Sequence, residues 1–161
     1  MTSFGLIQTF LADEAATVNV GGKIGAALIA GNVVFLEGEL GAGKTTFTRG
    51  VLRARGHTGA VKSPTYTLCE PYESDDTHLV CHLDLYRLSD PEELEFLGFR
   101  DYLASGAIVL IEWPSRGEGW LPNPDLKIEL SERGSGRVLR LLALTTHGSQ
   151  VLERCGVDHV E

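Results

Sequence analysis

The chain has 161 residues and a formal net charge of −8, from 14 lysines and arginines against 22 aspartates and glutamates. This length is typical of one domain that buries a core without disulfides or a structural metal, so we predict a single domain over residues 1–161. The acidic balance disfavours a surface that grips a nucleic-acid backbone unaided, and the lack of a leader-like start or a long apolar run predicts a cytoplasmic protein without membrane contact.

The first third of the chain predicts a strand, a helix and a second strand. Leu6–Phe10 form a short apolar run, Asp13 is a suitable helix N-cap, and the helix ends by Gly31, before an apolar strand over Val33–Glu37. The glycine pair Gly21–Gly22 weakens this helix. Its predicted buried face contains Ala16, Val20, Ile24, Ala27 and Leu28.

A glycine-rich phosphate loop follows the second strand. Gly38 to Thr45 read G-x-x-x-x-G-K-T, in which glycines let backbone N–H groups turn inward around phosphates. In this pattern Lys44 reaches the β- and γ-phosphate oxygens, and Thr45 offers its hydroxyl to Mg²⁺. The strand–loop–helix context therefore predicts that the chain binds a nucleoside triphosphate.

The helix after the loop is predicted over Lys44–Arg55, with Gly56 ending it. Its positive N-terminal end would point at the same phosphates. Phe47, Val51 and Ala54 lie at the helical spacing i, i+4 and i+7.

Strands and helices alternate through the middle of the chain. Leu79–Leu83 and Ala107–Ile111 are apolar runs typical of strands buried on both faces, and Pro91–Phe96 between them has a helix start. Leu126–Leu130 and Val138–Leu144 bracket a turn and predict a hairpin. The fold class is therefore α/β: a P-loop NTPase-like domain with a largely parallel central sheet and an antiparallel C-terminal hairpin.

Two acids follow the buried strands of this region, Asp84 and Glu112. A phosphate loop needs an acid at the carboxyl end of a neighbouring strand to face the metal, and the spacing leaves open which acid binds metal and which positions water. Between the loop and Asp84, the segment Val61–Thr67 has the hydroxyl-rich character of a nucleotide-sensing loop or of an ordinary turn.

Five ordered motifs carry a family resemblance. They are Gly38–Thr46 (GELGAGKTT), Ser63–Leu68 (SPTYTL), His82–Leu88 (HLDLYRL), Pro91–Gly98 (PEELEFLG) and Ile111–Pro114 (IEWP). In this order they closely resemble the TsaE family, the small bacterial P-loop ATPases of the tRNA threonylcarbamoyladenosine pathway. The resemblance runs from about Asp13 to the C-terminal region.

The resemblance implies a function and a set of site residues. ATP would be bound with Mg²⁺ and slowly hydrolysed in support of TsaD and TsaB, which attach threonylcarbamoyl to tRNA adenosine 37, so that this chain would meet tRNA only indirectly. The phosphates would be held by Gly41, Ala42, Gly43, Lys44, Thr45 and Thr46. Thr45 and Glu112 would bind Mg²⁺, and Asp84 would act beside the γ-phosphate on water. Trp113 matches the family's functional tryptophan or is a packed aromatic at a strand end. Glu14 and Arg137 match positions near the base.

Three alternatives remain open from the sequence. A small-molecule kinase shares the loop but needs an acceptor pocket and an arginine-rich lid, for which only Arg87, Arg100 and Arg116 follow the core strands. A GTP switch would need a base-reading N-K-x-D motif, which the sequence lacks. A binding module that never hydrolyses nucleotide is the third, because Asp84 can be structural.

Overall fold

The computed structural model describes residues 4–61, 68–75 and 78–160, in which seven strands form one mixed sheet. The strands are β1 (Gly5–Leu11), β2 (Val33–Glu37), β3 (Cys69–Tyr72), β4 (Val80–Asp84), β5 (Ile108–Glu112), β6 (Leu126–Arg133) and β7 (Gly136–Ala143). Their order across the sheet is β1-β7-β6-β2-β5-β4-β3. Three pairs, β2 with β5, β2 with β6 and β4 with β5, run parallel.

Antiparallel strands complete both sides of this parallel centre. At one side β6 and β7 form the predicted hairpin, and β1 pairs with β7. At the other side β3 pairs with β4. The predicted fold class is therefore confirmed, with the addition of the edge strand Cys69–Tyr72, which the sequence did not predict.

Helices lie between the strands. They are α1 (Glu14–Ala27), α2 (Lys44–Ala54), α3 (Phe99–Ala104) and α4 (Thr146–Arg154), with short 3₁₀ turns over Pro91–Leu97 and Pro114–Gly117. The predicted N-cap of α1 is confirmed, because the Asp13 carboxylate accepts a hydrogen bond from the Ala16 N–H at 2.8 Å. Among the described residues, no helix combines the length and hydrophobicity needed to cross a bilayer.

Apolar side chains fill both faces of the sheet because successive strand residues point to opposite sides. On β2, Val34 and Leu36 join the core beneath α1 and α2, whereas Val33 joins the opposite core. Within α1, the predicted residues Val20, Ile24, Ala27 and Leu28 are buried, and Ala16 is only partly buried.

The apolar residues of α2 are not all buried. Phe47 and Val51, which lie at helical spacing, are buried together with Leu52, whereas Ala54 is exposed. Counted from Phe47, the positions i, i+4 and i+5 of the helix face the core, whereas Ala54 at i+7 faces the solvent.

Candidate functional site

Glycines shape the loop between β2 and α2. Gly43 is the N-cap of α2 and has φ 105°, and Gly41 has φ 81°, both in the left-handed region that favours glycine. At Gly38 a Cβ atom would lie 2.6 Å from the Leu130 carbonyl oxygen on β6. The loop therefore needs glycine for its turn and for its close approach to the neighbouring strand.

The residues predicted to hold phosphate and metal come together in one cavity of about 370 Å³, which we call the Lys44 cavity. Parallel pairing of β4 with β5 places Asp84 directly beside Glu112 at the carboxyl ends of the strands. The cavity is lined by Leu40, Gly41, Gly43, Lys44, Thr45, Thr46, Asp84, Tyr86, Arg87, Glu112 and Trp113. Ala42, the remaining predicted loop residue, is buried and lines a larger adjacent groove.

Lys44 is a buried cation at the first turn of α2, only 5% exposed. Its Nζ donates a hydrogen bond to the Gly38 carbonyl oxygen at 2.6 Å and lies 3.8 Å from Glu112 Oε1. Desolvation lowers the pKa of Lys44, against the opposing attraction of Glu112, Asp84 and Glu39. The ammonium is thus largely buried, at the wall of a cavity where it can meet an anion.

The two acids have different hydrogen-bond partners. Asp84 Oδ1 accepts a hydrogen bond from the Tyr86 N–H at 3.0 Å, while Glu112 Oε2 lies 2.5 Å from Nε2 of the buried His82. Both carboxylates are nearly fully buried. No role for His82 was predicted from the sequence, although His82 lies two residues before Asp84 and both side chains are therefore on one face of β4.

Trp113 covers the same cation. Its ring centroid lies 4.1 Å from Lys44 Nζ, within cation–π range, and 4.9 Å from the Tyr86 ring centroid. Trp113 also has φ 56°, which is unusual for a bulky residue. It lies between the end of β5 and the 3₁₀ turn Pro114–Gly117, of which it is the N-cap residue.

A second, smaller cavity of about 150 Å³ is lined by residues of the loop, of α1 and of the hairpin of β6 and β7. Its lining includes Glu14, Thr46 and Arg137, the residues that the family resemblance places near the base and phosphates. Glu14 pairs with Arg49 at 3.1 Å. Arg137 donates hydrogen bonds to the carbonyl oxygens of Ala42 at 3.0 Å and Gly41 at 3.2 Å, so it also contacts the backbone of the phosphate loop.

The arginines considered for a kinase lid do not gather at one place. Of the three arginines considered for a kinase lid, Arg87 lines the Lys44 cavity, Arg116 lies over the Tyr86 ring and Arg100 pairs with Glu95. Of the segment Val61–Thr67, considered as a nucleotide-sensing loop, residues 62–67 lie outside the described residues.

Comparison with known proteins gives a consistent result. A family model described as threonylcarbamoyl adenosine biosynthesis protein TsaE matches residues 11–139. A Haemophilus influenzae protein named tRNA threonylcarbamoyladenosine biosynthesis protein TsaE is 43% identical over 151 residues, covering 91% of this chain and 95% of the relative. A Bacillus subtilis protein of the same name is 38% identical over 125 residues, covering 78% and 76%. The crystal structure of Bacillus subtilis YdiB has a TM-score of 0.78 at 27% identity and covers 94% of both chains.

Proposed function

Because the chain belongs to the TsaE family and thus to tRNA threonylcarbamoyladenosine biosynthesis, we propose that it binds ATP with Mg²⁺ in the Lys44 cavity and hydrolyses it slowly. The hydrolysis supports TsaD and TsaB, which carry out the threonylcarbamoyl transfer. The observation that carries this proposal is the convergence of Lys44, Thr45, Asp84 and Glu112 on one cavity at the N-terminal end of α2.

The donor set of this cavity fits a magnesium–nucleotide complex. Mg²⁺ prefers oxygen ligands and is usually held by one or two carboxylates together with substrate phosphates. Thr45 offers a hydroxyl and Glu112 a carboxylate, both at the cavity wall. The positive end of α2 and the Lys44 ammonium supply the charge that phosphates need.

Each residue has a physical task in this proposal. When bound, Mg²⁺ would neutralise charge on the β- and γ-phosphates. Lys44 attracts the same oxygens as a point charge. Asp84, held by the Tyr86 N–H, orients the attacking water. Trp113 shields the Lys44 ammonium from solvent, which strengthens its attraction for phosphate.

The net charge of −8 agrees with indirect contact to tRNA. A chain that binds a polyanion through its backbone neutralises phosphates with clustered lysines and arginines. We therefore assign tRNA binding to the partner complex and nucleotide binding to this chain.

The test is calorimetric titration of a non-hydrolysable ATP analogue in the presence of Mg²⁺. We expect Lys44→Ala to weaken binding at least tenfold, because it removes a charged contact from a desolvated site. Lys23→Ala is the matched control, since Lys23 is exposed and donates a hydrogen bond to the Gly156 carbonyl oxygen. Parental affinity in Lys44→Ala, with the fold intact by circular dichroism, would refute the phosphate-loop assignment.

A further inference from the structure

His82 is a fully buried histidine on β4, and the nucleotide-binding function proposed above does not use it. Its Nε2 lies 2.5 Å from Glu112 Oε2 on the neighbouring strand β5. The relative exposures of the two side chains are 0% and 4%, so water contributes little to holding this pair. In the parallel register of β4 with β5, Glu112 is opposite Asp84 and His82 is opposite Leu110. His82 therefore contacts Glu112 diagonally, from the same face of β4 as Asp84.

The two oxygens of Glu112 have different surroundings. Oε2 faces His82 Nε2, and Oε1 lies 3.8 Å from Lys44 Nζ at the wall of the Lys44 cavity. A carboxylate on a flexible side chain can rotate, whereas one fixed at Oε2 has a defined direction for Oε1. The histidine therefore determines how Glu112 presents its second oxygen to the cavity.

Hydrogen-bond chemistry also identifies the ring form of His82. An ionised carboxylate only accepts, so Nε2 carries the proton that is shared with Glu112. Nδ1 is buried and has no hydrogen-bond partner within the described part of the chain. A proton on Nδ1 would leave a buried donor unpaired, which costs free energy, so the hydrogen-bond geometry assigns the donor role to Nε2.

We propose that His82 is a positioning residue that anchors Glu112 Oε2 and thereby directs Oε1 toward nucleotide-bound Mg²⁺. This inference rests on the proposed function, since it gives Glu112 the role of a metal ligand. Groups that hydrogen-bond to metal-binding carboxylates orient them, and their loss typically lowers metal affinity about 10–100-fold.

Three substitutions separate positioning from simple packing. His82→Gln places an amide N–H near the position of Nε2, whereas His82→Asn places it one bond short, and His82→Leu fills the space without a donor. For each variant, an ATP analogue is titrated without Mg²⁺, and Mg²⁺ is then titrated into the analogue complex. Thermal unfolding of each variant records any loss of stability.

We expect His82→Asn and His82→Leu to need about 10–100-fold more Mg²⁺ while their metal-free affinity for the analogue stays parental. His82→Gln should stay close to the parental protein in both titrations. Parental Mg²⁺ dependence in all three variants, or equal loss in all three, would overturn the positioning role. If the parental chain itself bound the analogue without any Mg²⁺ dependence, the metal part of the proposed function would fail together with this inference.

A measurement on the unsubstituted protein guards against variants that do not fold. Nitrogen-15 NMR of the imidazole rings distinguishes a proton on Nε2 from one on Nδ1, and comparison with His82→Gln assigns the signal. A proton on Nε2 of His82 supports the inference. A ring that carries its only proton on Nδ1 contradicts it, because Nε2 could then not donate to Glu112.

Discussion

At the scale of single residues, the Lys44 ammonium is the centre of the site. A carbonyl oxygen, a carboxylate and the face of Trp113 all lie around the ammonium, and the Lys44 side chain is only 5% exposed. These groups offset the cost of burying the charge. Phosphate oxygens are stronger partners for an ammonium than a carbonyl or an aromatic face. The arrangement therefore suits the exchange of these partners for a triphosphate.

The two buried acids should differ in what they contribute. We expect Glu112→Gln to weaken the Mg²⁺ dependence of nucleotide binding, because it removes the charge on the metal ligand. Asp84→Asn should leave binding nearly intact and lower turnover about 10²-fold or more, because it removes the group that orients water. Analogue titrations with and without Mg²⁺, beside a single-turnover assay, measure both effects.

An exchange of the two phenotypes would reverse these roles. The sequence left this division open, because both acids end buried strands. Their hydrogen bonds differ in a way that only the fold reveals: Asp84 accepts from the Tyr86 N–H, and Glu112 contacts His82. The motif order indicated the residues of the cavity, whereas their pairwise contacts depend on the register of β4 with β5.

At the scale of elements, α1 and α2 pack unusually closely through glycines. A Cβ atom at Gly21 would lie 2.3 Å from the Phe47 carbonyl oxygen, and one at Gly25 would lie 2.5 Å from the Val51 carbonyl oxygen. A Cβ at Gly50 would lie 2.2 Å from the Val18 carbonyl oxygen. The glycines that lower the helix propensity of α1 therefore allow the backbones to approach.

Substitution of adjacent glycines tests this close packing. Gly21→Ala should lower the free energy of unfolding by about 1–3 kcal/mol, because the added methyl meets the backbone of α2. Gly22→Ala should be neutral or stabilising by up to about 1 kcal/mol, because its Cβ would lie 3.7 Å from the Gly50 carbonyl oxygen and alanine favours helix. Urea unfolding of both variants measures the difference, and equal stability would contradict the packing argument.

The hairpin of β6 and β7 also acts on the phosphate loop. Arg137 donates hydrogen bonds to the carbonyl oxygens of Gly41 and Ala42. Within each trans peptide plane the carbonyl group points in the opposite direction from the N–H group. Arg137 can therefore affect phosphate binding without touching a nucleotide base.

We expect Arg137→Ala to weaken binding of inorganic tripolyphosphate by about tenfold, together with ATP, because two hydrogen bonds that hold the loop are lost. Arg140→Ala on the same strand is the control, since Arg140 pairs with Glu129 at 3.1 Å on the surface. Loss of ATP binding alone would instead indicate that Arg137 contacts the base, as the family resemblance implies.

The sequence predicted elements with strong periodicity or clear caps and missed weaker ones. The edge strand Cys69–Tyr72 has four residues, including Pro71, and its pairing depends on β4. Helix α4 begins at an N-cap threonine, Thr145, yet it is short and contains Gly148, which packs against the Asp125 backbone. Tertiary contacts, rather than local preference, decide both elements.

At the scale of the whole molecule, the parallel strands β6, β2, β5 and β4 form a centre flanked by antiparallel strands. The Lys44 cavity lies at the carboxyl ends of β4 and β5, the usual position for ligands of such sheets. We propose that residues 1–161 act as one domain in which nucleotide state is passed to the partners.

If ATP increases the affinity of this chain for a partner by some factor, the partner must increase the affinity of the chain for ATP by the same factor. With a coupling of about 1–3 kcal/mol, we expect TsaD and TsaB to bind this chain tens of times more tightly when a non-hydrolysable ATP analogue is present. Calorimetry of the mixture with and without analogue measures this factor from either side. Equal partner affinity in both conditions would rule out the coupling and leave a simple ATP-binding protein.

The most direct test of the central claim is ATP hydrolysis by the purified chain without any acceptor substrate, measured with and without TsaD and TsaB. Slow phosphate release from the chain alone, faster release with the partners and its loss in Lys44→Ala are the predicted results. Absence of hydrolysis in both conditions, or hydrolysis that Lys44→Ala does not reduce, would contradict the account.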